Sequence, residues 1–496
     1  MMHNQRNFFV RFCVTKLFFA TILCSVVGVN AQTPQATPPP PAPPRSGTFP
    51  KPVEETLPNG LRVIVIERHD TPLITASLVI KNGGEVDPTR LAGVADMTAN
   101  LLTRGTSTRT ATQIAAQIEG LGGMLDSAAQ WDATSVSLEV MTDKIAPALE
   151  ILADVVRRPT FRFEEIERLR QQYIDTLTLS LDEPSSVARF VGAKVLYGDG
   201  LYGHPILGTL QSLKLISRVA ILRVHRTYYR PDNALLVVGG DINPVQAFSL
   251  ATKYFGDWVK PKLRLPVLPV VANSANHSGR VVVIDKPDAG QAAVFLVRRG
   301  IDRKDADYYN GIVTNSVLSG YSGRLNQEVR IKRGLSYGAG SVLEARRDVG
   351  PFVASAQTRN ESSPEVAALL KEEVDRLSTA PLVETELTPR KAALIGEFSR
   401  NLETVNGLVS RVSSLALYGL SLDEINHFIQ NVEAVDPVEV QKFASTKLDA
   451  RGADVIIVGD AKTFLPELRN RFSKVELIPF SRLDLNTRTL QKSSRR

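Results

Sequence analysis

The side chains able to do chemistry are few and scattered. Six histidines are present, His3, His69, His204, His225, His277 and His427. None falls in an H-x-x-x-H or H-x-x-E-H pair, the spacings that set two imidazoles on one helix face for a metal. There is no G-x-S-x-G elbow to expose a nucleophilic serine and no Walker loop to cradle phosphates. Gly320-Tyr-Ser-Gly323 and Gly338-Ala-Gly340 are short glycine loops, too small a pattern to define a phosphate site. His69-Asp70 lies where a turn joins two strand-like runs and reads as an exposed turn residue. His204, within Tyr202-Gly-His-Pro205, reads as a residue that shapes a loop rather than a metal ligand.

Cys13 and Cys24, the only two cysteines, lie in a segment that reads as an export signal. Arg6, Arg11 and Lys16 form a basic start, and Leu17 to Val29 is an apolar run too short to span a bilayer comfortably. Val29-Asn-Ala31 supplies small residues at cleavage spacing, so residues 1–31 are expected to be removed. Retention as an anchor is the alternative, and a lipid on Cys24 is disfavoured because Leu23 stands where a small residue is needed. After cleavage no membrane span is expected. The chain then has no thiol, which suits an oxidising compartment, periplasmic or secreted. Residues 32–50 hold eight prolines and read as a solvated linker. The formal charge of +7 falls to about +4 without the three basic residues at the start, with no basic stripe that would suit a nucleic acid. A composition of 43% hydrophobic and 22% charged residues excludes a disordered chain and a polytopic membrane protein.

The remaining chain is a duplication. Gly60-Leu-Arg-Val-Ile-Val-Ile opens a strand, a turn and a second strand ending at Lys81-Asn-Gly83. Gly279-Arg-Val-Val-Val-Ile opens the same pattern, ending at Arg298-Arg-Gly300. Ala234–Asp241 matches Ala453–Asp460, and Asp241 stands as far from Asp460 as Gly60 does from Gly279. Two distant anchors at one offset indicate two copies of one fold. Within a copy, strand-like runs alternate with helical periodicity at 145–156, 163–179 and from Gln211 toward Tyr229. The hairpin-like start and mixed order predict an α+β class, with helices packed on an antiparallel sheet. The expected layout is 51–260 for the first copy, 261–278 as a linker, 279–480 for the second and 481–496 as a frayed polar tail.

Several segments then carry a family resemblance. They are Leu57-Pro-Asn-Gly60-Leu, Gly93-Val-Ala, Arg104-Gly-Thr106, Tyr202-Gly-His-Pro205 with Gly208-Thr209 and Ser212-Leu213, Tyr229-Arg-Pro-Asp-Asn233-Ala, and Gly320 through Tyr337. Together they resemble the insulinase, pitrilysin and mitochondrial-processing-peptidase family of zinc metallopeptidases, across nearly all of 50–475. The resemblance implies two similar α+β domains forming half of a clamshell around a peptide chamber. Active members carry H-x-x-E-H on a helix and a ligand glutamate at a set interval downstream. Aligned through Gly93-Val-Ala95, the motif positions hold Asp96, Ala99 and Asn100, and the same interval leads to Thr176 as the third ligand position. Asparagine and threonine are poor zinc ligands, and alanine cannot act as a base. The resemblance therefore implies that this chain holds no catalytic zinc of its own.

A second feature of the family is kept. Arg330 and Tyr337 have the spacing of the arginine and tyrosine that grip substrate over the metal. Both can donate hydrogen bonds to a peptide carbonyl and to the oxygen that gains charge. The bland alternative is a surface ion pair for Arg330 and a core position for Tyr337. The combination resembles the non-catalytic subunit of two-chain bacterial members, whose partner supplies zinc and base. The expected protein is that subunit, acting on unfolded peptides beside a zinc-bearing partner of the same family. A scaffold of the same fold, and a self-sufficient peptidase with ligands relocated to His69, His204 or Asp96, are the alternatives.

Overall fold

The computed structural model describes residues 49–268 and 279–492. The signal segment, most of the proline-rich linker, residues 269–278 and the last four residues lie outside them.

Two six-stranded sheets form. The strands are β1 (Val53–Thr56), β2 (Arg62–Glu67), β3 (Leu73–Ile80), β4 (Met124–Ala129), β5 (Thr134–Met141), β6 (Ala234–Gly240), β7 (Val281–Asp285), β8 (Ala292–Arg299), β9 (Ser336–Leu343), β10 (Pro351–Thr358), β11 (Asp454–Gly459) and β12 (Val475–Pro479). The first sheet runs β1-β2-β6-β3-β5-β4 and the second β12-β7-β11-β8-β10-β9. The two orders coincide except at one edge, which β1 supplies from before the repeated strands and β12 from after them. Leu73 and Ala292 open β3 and β8, and Ile80 and Arg299 close them, at the same offset as Gly60 and Gly279.

One local expectation is corrected. The two opening strands of each repeat are not neighbours, because a late strand enters between them. β6 pairs parallel with β2 and antiparallel with β3, and β11 does the same between β7 and β8. Each sheet is thus mixed, with antiparallel pairs in the majority. The reason lies in the residues. Every side chain of Ala-Leu-Leu-Val-Val-Gly-Gly in β6 is buried, and a strand apolar on both faces belongs at a sheet's centre. The turn at His69 therefore spans the end of β6, where His69 Nδ1 lies 2.7 Å from Asp241 Oδ1.

Strand alternation sends each sheet's two faces to different repeats. Val63, Val65, Leu236 and Val238 face the first repeat's own helices. Ile64, Ile66, Leu235 and Val237 share a core with Val405 and Val409 of the second repeat's helix Val405–Leu417. Reciprocally, Val282, Ile284, Ile456 and Val458 meet Val187, Ala188 and Val191 of the first repeat's helix Pro184–Tyr197. Each repeat lends one helix to the other's sheet. Gly239 allows the close approach, since a Cβ there would lie 2.5 Å from Val409 Cγ2.

The expectation of a frayed tail does not hold for 481–492. Leu490 is fully buried, Leu483 bridges to Gln491, and Thr209 Oγ1 donates to Asn486 Oδ1 at 2.8 Å. Leu483, Leu485 and Leu490, isolated among polar residues, supply the apolar anchors.

Candidate functional site

The helix Val94–Leu101 carries the first candidate positions. Asp87 caps its start, accepting from the backbone N–H groups of Gly93 at 2.6 Å and Ala95 at 2.9 Å. Gly93 has φ +93° and sits so close to Leu207 that a Cβ would fall 2.6 Å from its carbonyl oxygen. Gly208, with φ +85°, makes the matching approach to Ala92, whose carbonyl also accepts from Ser212 Oγ at 2.7 Å. The family-like segments at 93, 208–209 and 212 are therefore one packing unit. They aim the helix.

Asp96 points inward and is buried. Tyr173, on the helix Phe163–Asp182, donates its phenol to Asp96 Oδ2 at 2.5 Å. Asn100 donates its amide to the Asp96 carbonyl at 3.0 Å and to Oδ1 at 3.3 Å. Burial raises the Asp96 pKa, against the opposing pull of the Tyr173 bond. Ala99 is fully buried, and its carbonyl accepts from Ser127 Oγ of β4 at 2.8 Å. Thr176 is on the exposed side of its helix, its hydroxyl donating to Gln172 O at 2.9 Å, so Tyr173 rather than Thr176 reaches Asp96.

A zinc ion does not fit this donor set. Its one carboxylate is buried, engaged by a phenol and an amide, and biased toward the protonated form. Among the described residues no group of three or more His, Cys, Asp and Glu is placed to hold a metal. His204 is buried, with Nδ1 3.0 Å from Pro205 O, and burial lowers its pKa. His69 stays exposed on its turn, its pKa raised by the bond to Asp241.

Arg330 and Tyr337 are elsewhere, at the free edge of the second sheet. Arg330 lies on a π-helical turn, Gln327–Lys332, and Tyr337 is the second residue of edge strand β9. Such turns insert a residue into a helix and redirect the side chains beyond it. Gly334, at φ +63°, reverses the chain between them. Tyr337 is 87% exposed, so it is no core aromatic. Arg330 forms no ion pair among the described residues, and its guanidinium lies 5.5 Å from the centre of the Tyr321 ring. Tyr321, Ile331 and Val342 are also exposed. The two predicted positions thus stay far from core duties.

A buried polar cluster between the repeats escaped the sequence reading. Asp132 accepts from Tyr202 Oη at 2.6 Å, Tyr418 Oη at 3.0 Å and the Arg347 N–H at 2.6 Å. Arg347 Nη1 donates to Glu85 Oε1 at 3.0 Å, and burial pushes the Glu85 carboxyl up to about 7. These residues come from distant segments with no shared spacing, so nothing short of the fold could assemble them.

Known proteins match along the same architecture. Residues 62–201 match the family described as Insulinase (Peptidase family M16), and residues 216–394 match its "Peptidase M16 inactive domain". An uncharacterized zinc protease of Mycobacterium leprae is 26% identical over 414 residues, covering 83% of this chain and 93% of that protein. A crystal structure of a peptidase M16 inactive domain from Pseudomonas fluorescens superposes with a TM-score of 0.77 at 25% identity, over 82% of this chain and 98% of that one. A Helicobacter pylori protease gives 0.78 at 18% identity, over 83% and 100%. The matches run through both repeats and keep the fold at each step, so the chain belongs to the insulinase family, peptidase M16, with a degenerate form of its zinc motif.

Proposed function

We propose that this chain is the non-catalytic, substrate-gripping subunit of an exported heterodimeric zinc metallopeptidase that acts on unfolded peptides. The observation that carries the reading is the contrast between two sites. Of the positions aligned with the family's zinc motif, Asp96 and Asn100 are tied to each other and to Tyr173 by hydrogen bonds, and Ala99 is packed in the core. Tyr337 is instead exposed on an edge strand, and Arg330, half-buried on the turn before it, has no ion pair among the described residues and lies over the Tyr321 ring. In this reading the chain is half of a clamshell, and the zinc and general base belong to a partner of the same family. An extended peptide adds along a sheet edge through main-chain hydrogen bonds, and Arg330 and Tyr337 polarise its carbonyl. The signal-like start of the chain supports export to the periplasm or beyond the cell. No helix among the described residues is long and apolar enough to cross a membrane.

Co-purification from the native cell envelope, with zinc and peptidase assays of the complex, tests this. Arg330→Ala and Tyr337→Phe should each lower turnover by about 10²-fold, the scale of losing one donor to a developing oxyanion. The zinc content of the complex should not change. A complex with no zinc-bearing partner, or full turnover in both variants, would leave the scaffold reading instead.

A further inference from the structure

A cavity of about 580 Å³ lies between the repeats, and the Asp96 side chain is not part of its lining. Its floor is the face of the second sheet, with Phe295, Val297 and Val353. Phe190 and Leu196 of the helix Pro184–Tyr197 form one wall. Arg346 lines it as well, with its side chain only 9% exposed. Its guanidinium lies against an edge-on pair of rings, 4.7 Å from the centre of Trp131 and 4.6 Å from that of Tyr202. The Nε and Nη2 edge is spent on Glu344, whereas Nη1 is buried and has no acceptor within the protein. A guanidinium carries five donors in a fixed fork and cannot shed its charge. Its open edge calls for an oxygen acceptor. Arg189, also on the cavity, has no acidic partner among the described residues. Two guanidiniums against the single carboxylate of Glu344 leave the lining with one positive charge in excess.

We propose that this cavity is a binding site for a carboxylate carried on an apolar body. The carboxylate accepts from Arg346 Nη1, and the body packs between the sheet and the helix. Both a fatty acid and the C-terminus of an apolar peptide offer that chemistry. Isothermal calorimetry on the signal-free chain separates them. The probes are decanoate against decanol, and the tripeptide Leu-Leu-Phe as free acid against its C-terminal amide.

At least one acid should bind saturably, and its neutral counterpart at least tenfold more weakly. Which acid binds more tightly identifies the source. Arg346→Met should cost tenfold or more. Ala193→Phe, which fills the cavity and keeps the guanidinium, should abolish binding with an unchanged melting temperature. The comparison of acid with neutral analogue needs no variant, so it decides even if a substitution unfolds the chain. Absence of saturable binding by both acids, or equal binding of acid and neutral analogue, overturns the proposal.

Discussion

At the residue scale, Glu85 sets a pH dependence. Its carboxyl is raised to about 7 because burial outweighs the attraction of Arg347. Between the ordinary carboxylate range and that value, the folded chain keeps a proton that the unfolded chain has lost. Stability is then present at low pH and falls as pH rises from about 4.5 to about 7, by on the order of 3 kcal/mol. Urea unfolding followed across that window should show the decline, and Glu85→Gln should flatten it. Tyr173 governs a different buried carboxylate. Tyr173→Phe removes the 2.5 Å bond to Asp96 and should cost about 1–3 kcal/mol in the same unfolding assay. The legibility of these residues differs for a physical reason. Arg330 and Tyr337 are seven residues apart on contiguous chain, so the sequence displays their relation directly. Tyr173 and Asp96 meet only because two helices pack, and no spacing along the chain announces that contact.

At the element scale, the exchange of helices holds the repeats together. Val409 enters the space left by Gly239. Gly239→Val should therefore destabilise by about 1–3 kcal/mol through overpacking. Val409→Ala alone should cost a similar amount by leaving a cavity. Combining the two should cost less than their sum, a coupling that a double-mutant cycle in urea reads. Much at this scale was legible. The common offset of the two repeats and the helical periodicities at 145–156 and 163–179 reappear as elements. The stretch from Gln211 toward Tyr229 forms as two helices, parted where Ser217 caps the second by accepting from the Ala220 N–H. The insertion of β6 between β2 and β3 was hidden because local patterning reports strands and not their order. Pairings between distant parts of the chain, Val63 with Leu236 and Ile80 with Ala234, decide the order.

At the scale of the whole molecule, neither repeat closes its core alone. Without the second repeat, Ile64, Ile66, Leu235 and Val237 would face water, an apolar surface that drives association. Calorimetry on the full chain should give one unfolding transition, with no separate melting of the repeats. Residues 49–260 expressed alone should aggregate, and a soluble, cooperatively folded fragment would contradict the helix exchange as the source of unity. The way the second sheet is completed also constrains how the protein is made. β7 gains its outer neighbour only from β12, close to the far end of the chain, and the cluster around Tyr202 gains Leu490 later still. A ribosome must therefore deliver almost the entire polypeptide before the second sheet can be completed.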